Sequence, residues 1–358
     1  MSMIDTNRTT TDRLESTGRE PAGRTASTDG ATEVPMRTRF TEMYGLRHPL
    51  LSAPMAMHSG GRLAGAVSAA GAMGSFGGID VRRDANWLRA EIASVRHTTD
   101  RPFAVGFITP FLPMVESFFD ATVELRPTAI VLSFADPEPW ASRIRAAGIS
   151  LICQVQDHDG AARAVDAGAE VLVVQSNAAG GHTGHLSLLP FLSATVERFP
   201  NLPVLAAGGI ADGRSLAAAM VAGADGAVVG TALLATPEAV EVDERYKQLI
   251  VDSDGTDTVI SQSFDIISGL PWPAGIVDRV RRNRVTDEWS GREVELRRRR
   301  EEIAASYADA PSDPDSAAIR YGHSAVAVDA VRPAGDVVRR ICGEAEAILR
   351  ARPAQLLG

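Results

Sequence analysis

Two histidines and three glycines crowd the stretch QSNAAGGHTGH (175–185), directly after the apolar run AEVLVV (169–174). Imidazole is the side chain that titrates nearest neutral pH. Paired glycines let a backbone approach a partner closely and admit positive φ. The His182–His185 spacing of three would suit a metal on a helix, but no carboxylate or cysteine accompanies it in the loop, so the sequence points to no metal. His182, placed immediately after Gly180 and Gly181, is the candidate general base. Two further glycine exits, AAGGI (206–210) and VVGT (228–231), offer amides to a phosphate: Gly208, Gly209, Val228, Val229 and Gly230, with the Thr231 hydroxyl beside them. The exit SAPMA (52–56) presents a Pro-Met pair suited to an aromatic-ring platform. Gln154 and Gln175 are amides inside otherwise apolar runs, where buried polar groups need partners, and a ligand edge would supply them.

These residues need elements to hold them. From Thr38 to about Thr236 one theme recurs: a short apolar run, a small-residue exit, then an amphipathic stretch. The runs are PLLSAPMA (49–56), GAMGSFGG (71–78), PFAVGFIT (102–109), AIVLSFADP (129–137), SLICQVQD (150–157), EVLVVQSNAAGG (170–181), PVLAAGGIAD (203–212) and GAVVGTALL (226–234). Near-continuous apolar strands alternating with helices describe a parallel sheet covered on both faces. Eight of them describe a closed (β/α)8 TIM barrel, whose site lies at the C-terminal strand ends and whose phosphate loops follow strands seven and eight. The candidate residues all fall on such exits. Asp84, Asp157 and Asp212 read as helix N-caps, and Gly148, Gly168 and Gly223 as helix ends.

After about residue 240 the rhythm changes. The segment 241–320 reads as a mainly helical lid or substrate subdomain, with a helix, a polar link, another helix after a Trp-Pro turn, and a charged helix over 287–308. Residues 321–358 end on an apolar stripe of Val337, Val338, Ile341, Ala345 and Ile348 that packs back on the barrel. The expected division is therefore a disordered arm (1–35), a barrel (36–240), the lid (241–320) and a C-terminal segment (321–358).

Bulk composition narrows the partners. The chain has 358 residues and a net charge of −9, which disfavours nucleic acid and anionic membranes, both of which select basic surfaces. The run RRRR (297–300), followed by EE, reads as a solvated helix face. Two distant cysteines, Cys153 and Cys342, exclude a disulfide framework and fit a cytoplasmic setting. No apolar stretch is long enough to span a bilayer, and the first 33 residues lack the apolar core of a signal peptide. Oligomeric state is left open, a homodimer included.

Taken together, QSNAAGGHTGH, SAPMA, the CQVQ strand, AAGGI, VVGT, the FDIISGLPWP…RVRRN run and the terminal helix resemble the FMN-dependent nitronate monooxygenases, from about residue 36 to the C-terminus. The resemblance implies FMN as cofactor. Ala53, Pro54 and Met55 would line its ring, Gln175 and Gly180 would touch it, and Gly209 with Val228 to Thr231 would hold its phosphate. It implies His182 as the base in the oxidation of an alkyl nitronate or nitroalkane by O2 to a carbonyl compound and nitrite. Two positions depart from the family pattern: Ala178 stands where a Glu usually precedes AGGH, and Gly106 where strand three usually ends in Asn. Both leave substrate identity open. The rival readings are a flavin-dependent enoyl-acyl-carrier-protein reductase using NAD(P)H, and a barrel that binds FMN or another phosphate ligand without turnover. An IMP-dehydrogenase-like enzyme would need a cysteine in 175–185, and none is there.

Overall fold

Each of the eight apolar runs forms a strand in the structure, a computed structural model that describes residues 36–138, 140–307 and 313–358. The expected arm, 1–35, lies outside the described residues. The strands are β1 (Leu50–Ser52), β2 (Gly74–Gly77), β3 (Phe103–Ile108), β4 (Ala129–Ser133), β5 (Ser150–Val155), β6 (Val171–Gln175), β7 (Gly181–Thr183), β8 (Val204–Ala207), β9 (Gly226–Val229), β10 (Thr258–Ser261) and β11 (Val277–Arg281). All but β7, β10 and β11 form one parallel sheet in the order β1-β9-β8-β6-β5-β4-β3-β2. A bridge between Leu51 and Met73 joins β1 to β2, which brings the ends of the sheet together as a barrel. The seventh and eighth staves are thus β8 and β9.

Alternation along each strand sorts the side chains into two layers. Leu51, Met73, Ala104, Val131, Ile152, Val173, Leu205 and Val228 fill the interior, while Leu50, Phe76, Val105, Ile130, Leu151, Leu172 and Val204 pack outward under the helices. Phe40, from the short helix Arg39–Tyr44, joins the interior cluster. That helix is tied down by Arg39, whose guanidinium donates to both carboxylate oxygens of Asp225 at 2.9 and 2.6 Å. The expected caps form: the carboxylates of Asp84, Asp157 and Asp212 accept from the first-turn amides of helices Ala85–Thr98, His158–Asp166 and Gly213–Val221. The last helix, Ala334–Leu357, buries Val337, Val338, Ile341 and Ala345 against the barrel helices. It approaches so closely that a Cβ on Gly213 would lie 2.2 Å from the Glu344 Cβ.

Beyond residue 240 the chain is mainly helical, as expected, but particular elements differ from the sequence reading. The stretch expected as a helix after the Trp-Pro turn is instead β11, and the polar link before it contains β10. Three of the five residues Val277, Asp278, Arg279, Val280 and Arg281 are charged, and β11 pairs antiparallel with β10 on one edge and β7 on the other. Cross-strand pairing overrides the local helix pattern here. The charged helix expected over 287–308 is broken into Arg284–Trp289, Glu293–Arg298 and Arg300–Tyr307, with Gly291 at φ +84° in the first break. Ile266, Val285, Trp289, Leu296 and Ile303 make a small core of their own.

Candidate active site

The loop that carries His182 is itself a strand. Leaving β6, the chain turns through Ser176–Gly180 and re-enters extended structure as β7, with His182 opposite Asp278 of β11. Side-chain and backbone hydrogen bonds hold this loop. The Gln175 amide donates to the His182 carbonyl (3.0 Å) and accepts from Gln156 (3.0 Å), and Thr183 Oγ1 donates to the Ser176 carbonyl (2.8 Å). Arg279 donates through Nε and Nη2 to the Asn177 carbonyl at 3.0 and 2.8 Å. On the other side the Ala178 carbonyl accepts from the His323 amide at 3.1 Å. A Cβ on Gly180 would lie within 2.5 Å of the Tyr321–Gly322 backbone. The close approach that Gly180 permits is therefore to the protein's own C-terminal segment.

His182 sits in an aromatic and acidic box. Its Nε2 lies 2.8 Å from Asp265 Oδ1, and its ring stacks on Trp272 with centroids 3.4 Å apart and planes 13° apart. Phe134 meets both rings edge-on at 6.4 and 5.3 Å, and Phe111 meets Trp272 at 4.9 Å. Phe134 holds φ +74° at the β4 exit, a conformation costly for a non-glycine residue and concentrated at functional sites. An ionised Asp265 can only accept, so Nε2 carries the proton and Nδ1 keeps the lone pair. His185 is exposed, outside the box.

Carboxylates absent from the loop sequence therefore arrive from elsewhere. Ligand atoms of His182, Asp265 and Asp278 lie within 4.8 Å of one another. Asp278 is engaged by Arg320, at 3.2 and 3.0 Å from Nε and 2.8 Å from Nη2. A cation there would have to displace that guanidinium, and the arrangement is one of ion pairing and proton placement. Asp265, Trp272 and Asp278 of the segment 241–320, with Arg320 at its end, went unnoticed as site groups in the sequence. No local pattern marks them, although Asp265 and Trp272 fall inside the quoted FDIISGLPWP.

The glycine exits meet on the same rim. Gly208 and Gly209 adopt φ +90° and +81°. A Cβ on Gly230 would touch Ala53 Cβ at 3.3 Å and Met55 Sδ at 3.5 Å, so the first and eighth exits adjoin. Among the described residues, the amides of Gly208, Gly209, Gly230 and Thr231 donate to nothing, whereas Thr231 Oγ1 accepts from the Gly322 amide at 3.1 Å. Val228 and Val229 are buried in packing, one inside the barrel and one beneath its helices, so their side chains are taken up by the core. Gln154 is half-buried on β5 and has no hydrogen-bond partner among the described residues. Gly181 holds φ +72° at the start of β7. Gly106 has a local cause: a Cβ there would lie 2.2 Å from Pro54 Cβ, so the SAPMA loop occupies the space a side chain would need.

One stave residue is chemically silent. Burial, and then the nearby Asp136, push the Cys153 thiol up to about 12. The thiolate is the nucleophile, so Cys153 should not react. Native protein treated with a chromogenic disulfide reagent should release close to no thiol in the first minutes, and both thiols after denaturation. Fast labelling of Cys153 in the folded protein would contradict this placement.

The site is thus a (β/α)8 barrel rim that carries an imidazole–carboxylate pair and, among the described residues, glycine amides without acceptors. The chain belongs to the nitronate monooxygenase family: the family model described as "Nitronate monooxygenase" matches residues 37–124 and 115–344. It is 33% identical over 340 residues to the nitronate monooxygenase of Neurospora crassa, a match covering 83% of this chain and 89% of that one. It is 31% identical over 245 residues to the (3aS,4S,5R,7aS)-5-hydroxy-7a-methyl-1-oxo-octahydro-1H-indene-4-carboxyl-CoA dehydrogenase of Mycobacterium tuberculosis. That second match covers 66% of this chain and spans 65% of the length of the dehydrogenase. Among solved structures, FabK from Thermotoga maritima superimposes with a TM-score of 0.77 at 28% identity, covering 89% of this chain and 99% of that one. Members of this group are flavin-dependent oxidoreductases. No helix among the described residues is long and apolar enough to cross a membrane.

Proposed function

We propose that the protein binds FMN and uses O2 to oxidise an alkyl nitronate, or the parent nitroalkane, to a carbonyl compound and nitrite. The observation that carries the reading is the His182–Asp265 pair: Nε2 is tied to the carboxylate and Nδ1 is left as a base on the barrel rim. The donor set fits FMN. Four amides without acceptors, at Gly208, Gly209, Gly230 and Thr231, can receive its phosphate together with the Thr231 hydroxyl, whose proton is still available to donate. Ala53, Pro54 and Met55 would bound the ring, and the free Gln154 amide would meet its polar edge. When bound, FMN supplies the electron transfer between the substrate carbon and O2.

The chain's own residues would do the rest. His182 Nδ1 takes the proton from the carbon bearing the nitro group. Asp265 balances the charge that develops on the ring and fixes its tautomer. Trp272 lies flat on the imidazole, where its face favours a cation and its bulk excludes water. The same contacts support a lid role for 241–320, since that segment brings Asp265, Trp272 and Asp278 beside His182.

Heating the purified protein should release FMN, and oxygen uptake with a nitronate should yield nitrite. Recovery of FAD, or protein that takes up no flavin, would remove the cofactor assignment. A second reading draws on the likeness to FabK: reduction of an activated alkene by NAD(P)H through the same flavin. Rapid bleaching of the flavin by NADH or NADPH, without nitrite from any nitronate, would select it.

A further inference from the structure

A buried donor lies against the base with nothing to bind. The Trp272 indole N–H is buried and has no acceptor among the described residues. Buried donors are nearly always paired, because an unpaired one keeps the cost of losing water and gains nothing in return. The indole of Trp289 is orphaned too, but it sits in the small core with Val285, Leu296 and Ile303. Trp272 differs in position. Its ring stacks on the His182 imidazole with centroids 3.4 Å apart and planes 13° apart, so the free donor belongs to a ring in contact with the base.

The segment that carries Trp272 is able to give way. Gly269 and Gly275 bracket it at φ +70° and +85°, and a Cβ on Gly275 would meet nothing within 4 Å. Between them Leu270, Pro271 and Ala274 are exposed. Among the described residues the backbone hydrogen bonds of 269–276 are all local. Gly269 donates to Asp265 and Ile266, Trp272 to Leu270, and Ile276 to Pro273. The ring contacts of this loop, with His182, Phe134 and Phe111, are all made by Trp272. A shift of the loop therefore breaks no backbone bond to another element, the mark of a segment that opens at low cost.

We propose that Trp272 is a substrate-binding residue, whose indole N–H donates to an oxygen of the nitro group while His182 Nδ1 takes the proton from the adjacent carbon. The proposal rests on the reading of His182 as the base. When the C–H bond breaks, its proton goes to Nδ1 and its electron pair forms the C=N bond of the nitronate. The negative charge then moves onto the nitro oxygens, and a donor is worth most where charge collects. With the loop in place the N–H is shielded, so the oxygen reaches it as the loop shifts. The orphaned donor gains an acceptor in that shift, which ties the movement to a ligand that carries one. The class selected is a carbon acid whose oxygens stand two bonds from the acidic carbon.

Calorimetry with isobutyrate on the full-length flavin-loaded protein tests the contact without turnover, since its carboxylate has the shape and charge of a nitronate. Trp272→Phe keeps an aromatic ring beside His182 and removes the donor. It should bind isobutyrate about 10–100-fold more weakly, the scale of a hydrogen bond to a charged acceptor. Tryptophan emission of the wild type should change as isobutyrate saturates, and the change should vanish in Trp272→Phe. Kinetics then separate donation from packing. With 2-nitropropane the charge appears only in the transition state, so Trp272→Phe should lower kcat about 10–100-fold and leave KM near its wild-type value. With propyl-2-nitronate the charge is present from the start, so KM should rise and kcat should hold. A mere loss of packing would treat the two forms alike. No isobutyrate binding by the wild type, equal binding by Trp272→Phe, or equal kcat losses on both forms overturns the proposal. Isobutyrate binding as expected with neither nitro compound consumed would sink the reaction and keep the indole contact. Nitrite formed equally well by the wild type and Trp272→Phe would keep the reaction and sink the contact.

Discussion

His182→Ala should lower kcat/KM on a neutral nitroalkane by about 10²–10⁴-fold, the usual contribution of a positioned general base. Fold and flavin content should persist, because the strand holding His182 is fixed by backbone pairing to β11 and by Gln175 and Thr183 rather than by the imidazole. A pre-formed nitronate has already lost its proton, so its oxidation should suffer far less. Asp265→Asn keeps the shape but removes the charge that fixes Nε2–H, and should fall between wild type and His182→Ala. His185→Ala, at an exposed position, is the control. Steady-state kinetics on both substrate forms would decide. Equal losses on the two forms, or a larger loss at His185, would mean that the base has been wrongly chosen.

Arg320→Met should cost about 2–3 kcal/mol of stability, seen as a fall of several degrees in Tm. Asp278 is 1% exposed and Arg320 27%, so the partial exposure of the arginine places the cost below that of a fully buried pair. Removing the guanidinium strands a buried carboxylate beside Asp265. Removing both charges, in Arg320→Met/Asp278→Asn, should recover most of the loss, since a neutral amide needs no counter-charge. Activity should separate from stability in this pair of variants. The double variant should fold like the wild type yet work less well, because Asp278 is the residue opposite His182 in the β7–β11 ladder. A double variant no more stable than Arg320→Met would show that the ion pair is not what the single substitution broke.

The barrel was legible because its information is local. Each stave is a short apolar run bounded by an Asp cap or a glycine, and a doubly covered parallel strand needs little else to be recognised. The rim glycines were legible for a related reason: Gly208 and Gly209 sit at positive φ, where other residues are strained, so residue type alone reports the backbone. His182 was legible because it follows Gly180 and Gly181, the second of which holds φ +72°. The surroundings of His182 were not. Asp265 lies 83 positions away in sequence, and Trp272 and Arg320 further still. Asp265 and Trp272 meet the imidazole, and Arg320 meets Asp278 opposite it, where β11 pairs with β7 instead of forming the helix its local pattern implied. That choice was made by cross-strand hydrogen bonds and a buried ion pair, which no window of sequence contains. The sequence by itself determined the barrel, its rim and a base. The tertiary structure decided what the base is tied to, because partners in space are set by packing between elements far apart along the chain.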